Sequence, residues 1–149
     1  MIKHILQPLV CERFNNDKRY REGHLRVVNA LPARVVLGLH SPEMKQVAKE
    51  ISREGCQAAM PGGEVVNCCN ADDTISCFEK YPQEELCYEE TVVWGYLINQ
   101  ERCSTGERLS KLAHYIPVMD NWAVCDSYCA NAKWMARADK EKLWEFLRP

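Results

Sequence analysis

At 149 residues, with 46% hydrophobic and 27% charged side chains, the chain is long and apolar enough to bury a core, which sets it apart from a disordered segment. A formal net charge of −2 excludes a protein that grips polyanions over its whole surface. No apolar run reaches the roughly 20 residues that span a bilayer, and the apolar start at 1–10 is too short for a secretory signal and lacks its small-residue cleavage site.

The nine cysteines are an odd number, which suits a secreted disulfide framework poorly. Cys87, Cys103, Cys125 and Cys129 fall inside or beside helical apolar patterns, where a thiol packs as a small hydrophobe, so a reduced, cytoplasmic protein is expected. Charge is unevenly spread. Residues 1–60 hold ten Lys/Arg against six Asp/Glu, 61–130 hold four against twelve, and 131–149 hold five against three. A polyanion is expected to meet the two ends of the chain, with the acidic middle facing elsewhere.

In chain order, 17–29 reads as a helix that includes Tyr20, His24, Leu25 and Val28 and stops before Pro32. Ser41-Pro42-Glu43 is a start signal: a capping hydroxyl, proline at the first helical position, then an acid in the first turn. Met44, Val47, Ala48 and Ile51 follow on one apolar face, and Gly55 ends that helix. The segment 56–71 reads as a loop, because Pro61-Gly62-Gly63 breaks a helix and Asn67-Cys68-Cys69-Asn70 has no periodicity. Asp72 or Asp73 is placed to cap a short helix through Ile75, Cys77 and Phe78. Further helices are expected over 84–99, 106–115, 120 to about 134 with Asp120 as its cap, and 139–147. The strand-like runs Val27-Val28 and Val35-Val36-Leu37 are short and lack a hairpin turn. The fold class is therefore all-α. Short helices with short connections suit an α-solenoid of antiparallel pairs, and a compact bundle fits the same periodicity.

The stretch from Tyr115 to Asp126 carries the most chemistry. Pro117 breaks one helix, Asp120 starts the next, and Trp122 and Asp126 stand four apart, on one face and one turn from each other. An aromatic face beside a carboxylate receives a cation. The same spacing also suits a Trp packed in the core and an Asp making a local hydrogen bond.

The run Asp120-Asn121-Trp122-Ala123-Val124-Cys125-Asp126 resembles the Trp-x-x-x-Asp motif of the AlkD-like, HEAT-repeat DNA alkylation repair glycosylases. Three further stretches agree in order: Tyr20-Arg21-Glu22-Gly23-His24-Leu25, then 37–45 from Leu37 through Ser41-Pro42-Glu43 to Lys45, then Phe78-Glu79-Lys80-Tyr81-Pro82 with Tyr88-Glu89-Glu90. The resemblance implies a curved stack of HEAT-like helix pairs whose basic concave face cups duplex DNA containing alkylated purines. It implies excision of N3- and N7-alkylated purines, with Asp126 stabilising the oxocarbenium-like sugar, Trp122 against the cationic nucleotide, and Asn121 at the DNA. No metal or organic cofactor is implied. The family's domain continues through further helices bearing a DNA-contacting arginine, so 1–149 is expected to be its N-terminal part, with 55–71 inserted and His40 standing where arginine is common. A non-catalytic HEAT-like module that binds DNA or protein is the alternative.

Lys133, Arg137 and Lys140, with Lys142, form a candidate phosphate-contacting patch, with a solvated helix face as the equal alternative. Cys56, Cys68, Cys69 and Cys77 lack the C-x-x-C pair of a zinc site. His24, His40 and His114 are scattered in the sequence with no nucleophile pattern near them. The Glu89 and Glu90 carboxylates are expected to cap or bridge neighbouring helices.

Overall fold

One helix has all its sides covered, and the rest of the chain is arranged about it. In the computed structural model, which describes residues 1–148, this helix is α6 (Tyr88–Gln100), and every residue from Tyr88 to Ile98 is buried. It is preceded by α1 (Lys3–Leu6), α2 (Glu12–Asn16), α3 (Lys18–Val28), α4 (Ser41–Glu54), strands β1 (Cys56–Ala59) and β2 (Val65–Cys68), and α5 (Ala71–Lys80). After it come α7 (Thr105–Tyr115), α8 (Trp122–Cys129) and α9 (Lys140–Leu147). The fold is mostly helical, as expected. Among the larger packing contacts, α4 lies on α6 and α6 on α8, in one row. A second row runs α5, α7, α9, and the rows are joined by α4 with α5, α5 with α6, and α6 with α7. The helix α3 departs from this order and packs on α8.

The middle of α6 shows why its sequence is apolar all round. Trp94 stacks on Phe78 of α5 with ring centroids 5.3 Å apart and meets Tyr115 of α7 edge-on at 5.3 Å. Gly95 has no side chain because the Tyr115 ring occupies the space a Cβ would need. The Tyr115 hydroxyl then donates to the Thr91 carbonyl at 3.0 Å. Large rings on two helices can approach this closely only where the facing helix offers a gap.

Several expected boundaries move. The segment 56–71 is not a loop throughout: it contains an antiparallel hairpin, with Cys56 opposite Cys68 and Ala59 opposite Val65. Gly62 and Gly63 adopt φ of 80° and 85°, and the Met60 N–H bonds the Glu64 carbonyl at 2.8 Å. Ala58 and Cys68 turn inward while Gln57 and Asn67 hydrogen-bond outside at 3.2 Å. The N–H of Ala59 extends the pairing to the Met1 carbonyl at 2.9 Å.

Ser41 does not cap α4; it is the first helical residue, His40 is the cap position, and no side chain bonds there. Neither Asp72 nor Asp73 caps α5. Asn70 accepts from the Asp73 N–H at 2.9 Å, while Asp73 reaches back to the Cys69 N–H at 2.8 Å. The helix expected from Glu84 starts at Tyr88, because 83–85 forms a 3-10 turn and Leu86 is extended. The helix expected to reach about Trp134 ends at Cys129, where Asn131 donates its amide to the Ser127 carbonyl at 2.7 Å. No helix among the described residues is long and apolar enough to cross a membrane.

Candidate functional site

The expected site lies on α8, and two polar clamps set where that helix sits. At its start, Asn121 caps by accepting from the Val124 N–H at 3.1 Å and donates its amide to Asp120 at 2.7 Å. Asp120, expected to be the cap, instead holds Arg34, whose Nε lies 2.9 Å away. Arg34 also donates to the carbonyls of Gln83 at 2.8 Å and Leu86 at 2.9 Å. One guanidinium thus ties the 31–39 connection, the approach to α6 and the N-terminus of α8 together. At the far end, the Tyr128 carbonyl accepts from the Asn99 amide at 3.0 Å, and Asn99 accepts from the Trp134 indole N–H at 2.8 Å. Arg108 lies over the Trp134 ring, 5.2 Å from its centroid.

Between these clamps α8 buries Ala123, Val124 and Tyr128 and turns other residues outward. Trp122 is 51% exposed, and Asp126 is exposed. Within the described residues, the Asp126 carboxylate has no hydrogen bond or ion pair. An exposed indole and a free carboxylate stand one turn apart on a helix held at both ends, a combination that can receive a flat cation.

The other expected residues are less concentrated. The side chain of Asn121 is occupied by the cap. Lys133 and Arg137 are exposed in the 3-10 segment Lys133–Arg137, and Lys140 is exposed at the start of α9, whose cap is Asp139. Cys125 and Cys129 are exposed rather than packed in the core, because the inward face of α8 is already filled by Ala123, Val124 and Tyr128. Cys87 is buried as expected, and its thiol is pushed up by burial and by the Glu90 and Glu89 carboxylates. Cys68 and Cys77 place their sulfurs 3.6 Å apart, and burial pushes the Cys77 thiol up to about 12. No group of three or more His, Cys, Asp or Glu side chains among the described residues is placed to hold a metal ion.

The carboxylates of α6 are fully engaged. Glu89 is buried and accepts from the N–H groups of Leu37 at 2.9 Å, Gly38 at 2.7 Å and Leu39 at 3.3 Å. Burial raises its pKa against the pull of those three donors. Glu90 accepts from the Cys87 N–H at 2.9 Å and the Ile2 N–H at 2.6 Å, and pairs with the Met1 ammonium at 2.9 Å. Burial opposes its charge, but the ammonium and the N–H donors outweigh burial and lower its pKa.

Sequence reasoning missed one constellation. His24 and His40, which look scattered along the chain, meet with ring centroids 5.5 Å apart. Phe14 stands edge-on to His24 at 5.3 Å, and the Tyr20 hydroxyl is 2.7 Å from His40 Nε2. Tyr20, Gly23, His24 and Val27 follow the helical spacing of one face, which was the available signal. Comparisons of the chain with protein-family models, curated proteins and solved structures find no match.

Proposed function

We propose that this chain belongs to a DNA glycosylase that excises N3- or N7-alkylated purines from duplex DNA, built as an α-solenoid of HEAT-like helix pairs. The observation that carries the reading is the pairing of an exposed Trp122 with an unengaged Asp126 on a helix clamped at both ends. The two helix rows, α4–α6–α8 and α5–α7–α9, support the solenoid.

An alkylated purine already bears positive charge, so it leaves readily and the sugar becomes cationic. Asp126 stabilises that developing charge and positions water, and Trp122 stacks on the cationic nucleotide. Such a step calls for no metal or organic cofactor. Lys133, Arg137 and Lys140 would hold the backbone and the flanking nucleotides, while Asn121 serves the cap of α8.

A second reading is favoured by the charge of 61–130, four Lys/Arg against twelve Asp/Glu, because that segment contains α8 itself. An acidic site repels DNA, and a non-catalytic HEAT-like module that binds protein would carry no such conflict. The test is to incubate the full-length protein with a duplex bearing one 7-methylguanine and to follow binding and base release separately. Release supports the glycosylase. Binding without release overturns excision, and the absence of both overturns the DNA reading and supports the protein-binding module.

A further inference from the structure

The stripe Tyr20, Gly23, His24 and Val27 has the spacing of a buried helix face, yet it is open. It lines a cleft of about 740 Å³ together with Arg13, Asp17, Arg19 and His40. Three features there lack a structural reason. Gly23 lies inside α3, where glycine is the least favourable residue after proline. No protein atom lies within 4 Å of the Cβ that alanine would add, so packing does not require glycine. His24 Nε2 is shielded from solvent and has no hydrogen-bond partner, a condition rare for a buried polar atom. The two imidazoles also face each other, so a proton on either disfavours one on the other. Burial, and then the His40 charge, lower the His24 pKa.

We propose that this cleft is a phosphate-binding site, with Gly23 as its floor, His40, Tyr20 and Arg19 as its donors, and His24 as the ring beside them. The absent Cβ lets a phosphate oxygen approach the helix backbone. Arg13 lies over the Tyr20 ring at 4.7 Å and is held by Asp17 at 3.3 Å, which leaves Arg19 as the free guanidinium. The Tyr20–His40 hydrogen bond responds to protonation. With His40 neutral at Nε2, the Tyr20 hydroxyl donates inward. With Nε2 protonated, the ring donates to Tyr20 and releases the hydroxyl proton toward the ligand. A bound phosphate anion offsets the burial that disfavours charge on His24, so binding favours the protonated imidazole. Among the described residues Asp17 is the one carboxylate on the cleft wall, and the N–H of Tyr20 and the side chain of Arg13 engage it.

This proposal stands apart from base excision, because its readout is anion binding. The full-length protein is titrated with inorganic phosphate and, separately, with duplex DNA, while the imidazole resonances of its four histidines are followed by NMR. The His24 and His40 resonances should move on addition of ligand, while those of His4 and His114 stay still. A response to phosphate alone identifies a free phosphoanion, and a response to DNA only identifies a backbone phosphodiester; both support the site. Gly23→Ala should raise the melting temperature by about 3 °C and weaken binding by about tenfold. A purely structural glycine would give the first effect without the second. Unmoved His24 and His40 resonances with both ligands, or wild-type affinity in Gly23→Ala, would overturn the proposal.

Discussion

The helices α6 and α8 lie side by side, and both carry carboxylates near aromatic rings. In α6 every such group has a task in the fold: Glu89 gathers three backbone N–H groups, Glu90 holds the first residues of the chain, and Trp94 fills the space between Phe78 and Tyr115. In α8 the inward face is made by Ala123, Val124 and Tyr128, and the Trp and Asp turn outward without a structural partner. Burial accounts for the composition of α6. It does not account for Trp122 and Asp126, and this is why function is sought on α8.

The contrast breaks first where α6 is disturbed. Glu89→Ala leaves three backbone N–H groups without their acceptor and should cost about 3 kcal/mol, read as a shifted urea midpoint. A loss below about 1 kcal/mol would mean that water replaces the carboxylate and that α6 is less closed than described. Gly95→Ala sets two effects against each other. Helix propensity favours alanine by about 1 kcal/mol, but the new Cβ meets the Tyr115 ring, and overpacking of this kind costs about 1–3 kcal/mol. A net destabilisation of about 1 kcal/mol is expected by thermal melting, with near-ultraviolet circular dichroism reporting displaced rings. A stabilised variant would show that Tyr115 moves freely.

Acid sharpens the comparison. The pKa of Glu90 is lowered from the ordinary 4.5, so the unfolded chain takes up a proton before the folded one. Its contribution is full above about pH 4.5 and is lost as the pH falls through the folded value. His24 acts in the same direction at higher pH: its pKa is lowered from 6.5, so its contribution is lost as the pH drops below that range. Urea midpoints from about pH 7 to about pH 3 should fall in two stages. Glu90→Gln should flatten the lower stage and His24→Phe the upper. An unchanged acid limb in Glu90→Gln would remove the ammonium pair from the account.

The smallest effects belong to α8. Asp126→Asn should alter stability by less than about 0.5 kcal/mol, as an exposed residue without a partner does. A larger loss would return it to the scaffold and weaken the functional reading.

Helix positions were largely legible because α4, α5 and α7 repeat their apolar residues at helical spacing, and Pro42 and Gly55 mark the limits of α4. The hairpin was hidden because its turn uses Pro-Gly-Gly instead of a two-residue Asn-Gly, and its outward face is only partly polar. Observed caps lie one to three residues from the expected ones where several acceptors crowd together, as at Asn70, Asp72 and Asp73. There the choice depends on which carboxylate has another partner, as Asp120 has in Arg34. Trp122 and Asp126 could be singled out from their spacing, but their exposure depends on what packs against α8. The meeting of His24 with His40 depends on the path of 29–39, which Glu89 and the partners of Arg34 at Gln83, Leu86 and Asp120 set from far along the chain.

The central claim is that Asp126 acts on charge that develops only as the base leaves. The most direct test is single-turnover release of 7-methylguanine from duplex DNA by the full-length protein and its Asp126→Asn variant, with DNA binding measured alongside. Loss of one preorganised electrostatic group should slow release by about 10²–10³-fold, with melting unchanged and binding equal or tighter because a negative charge near phosphates is gone. Equal release by the two proteins, or no release by the wild type, would contradict the account.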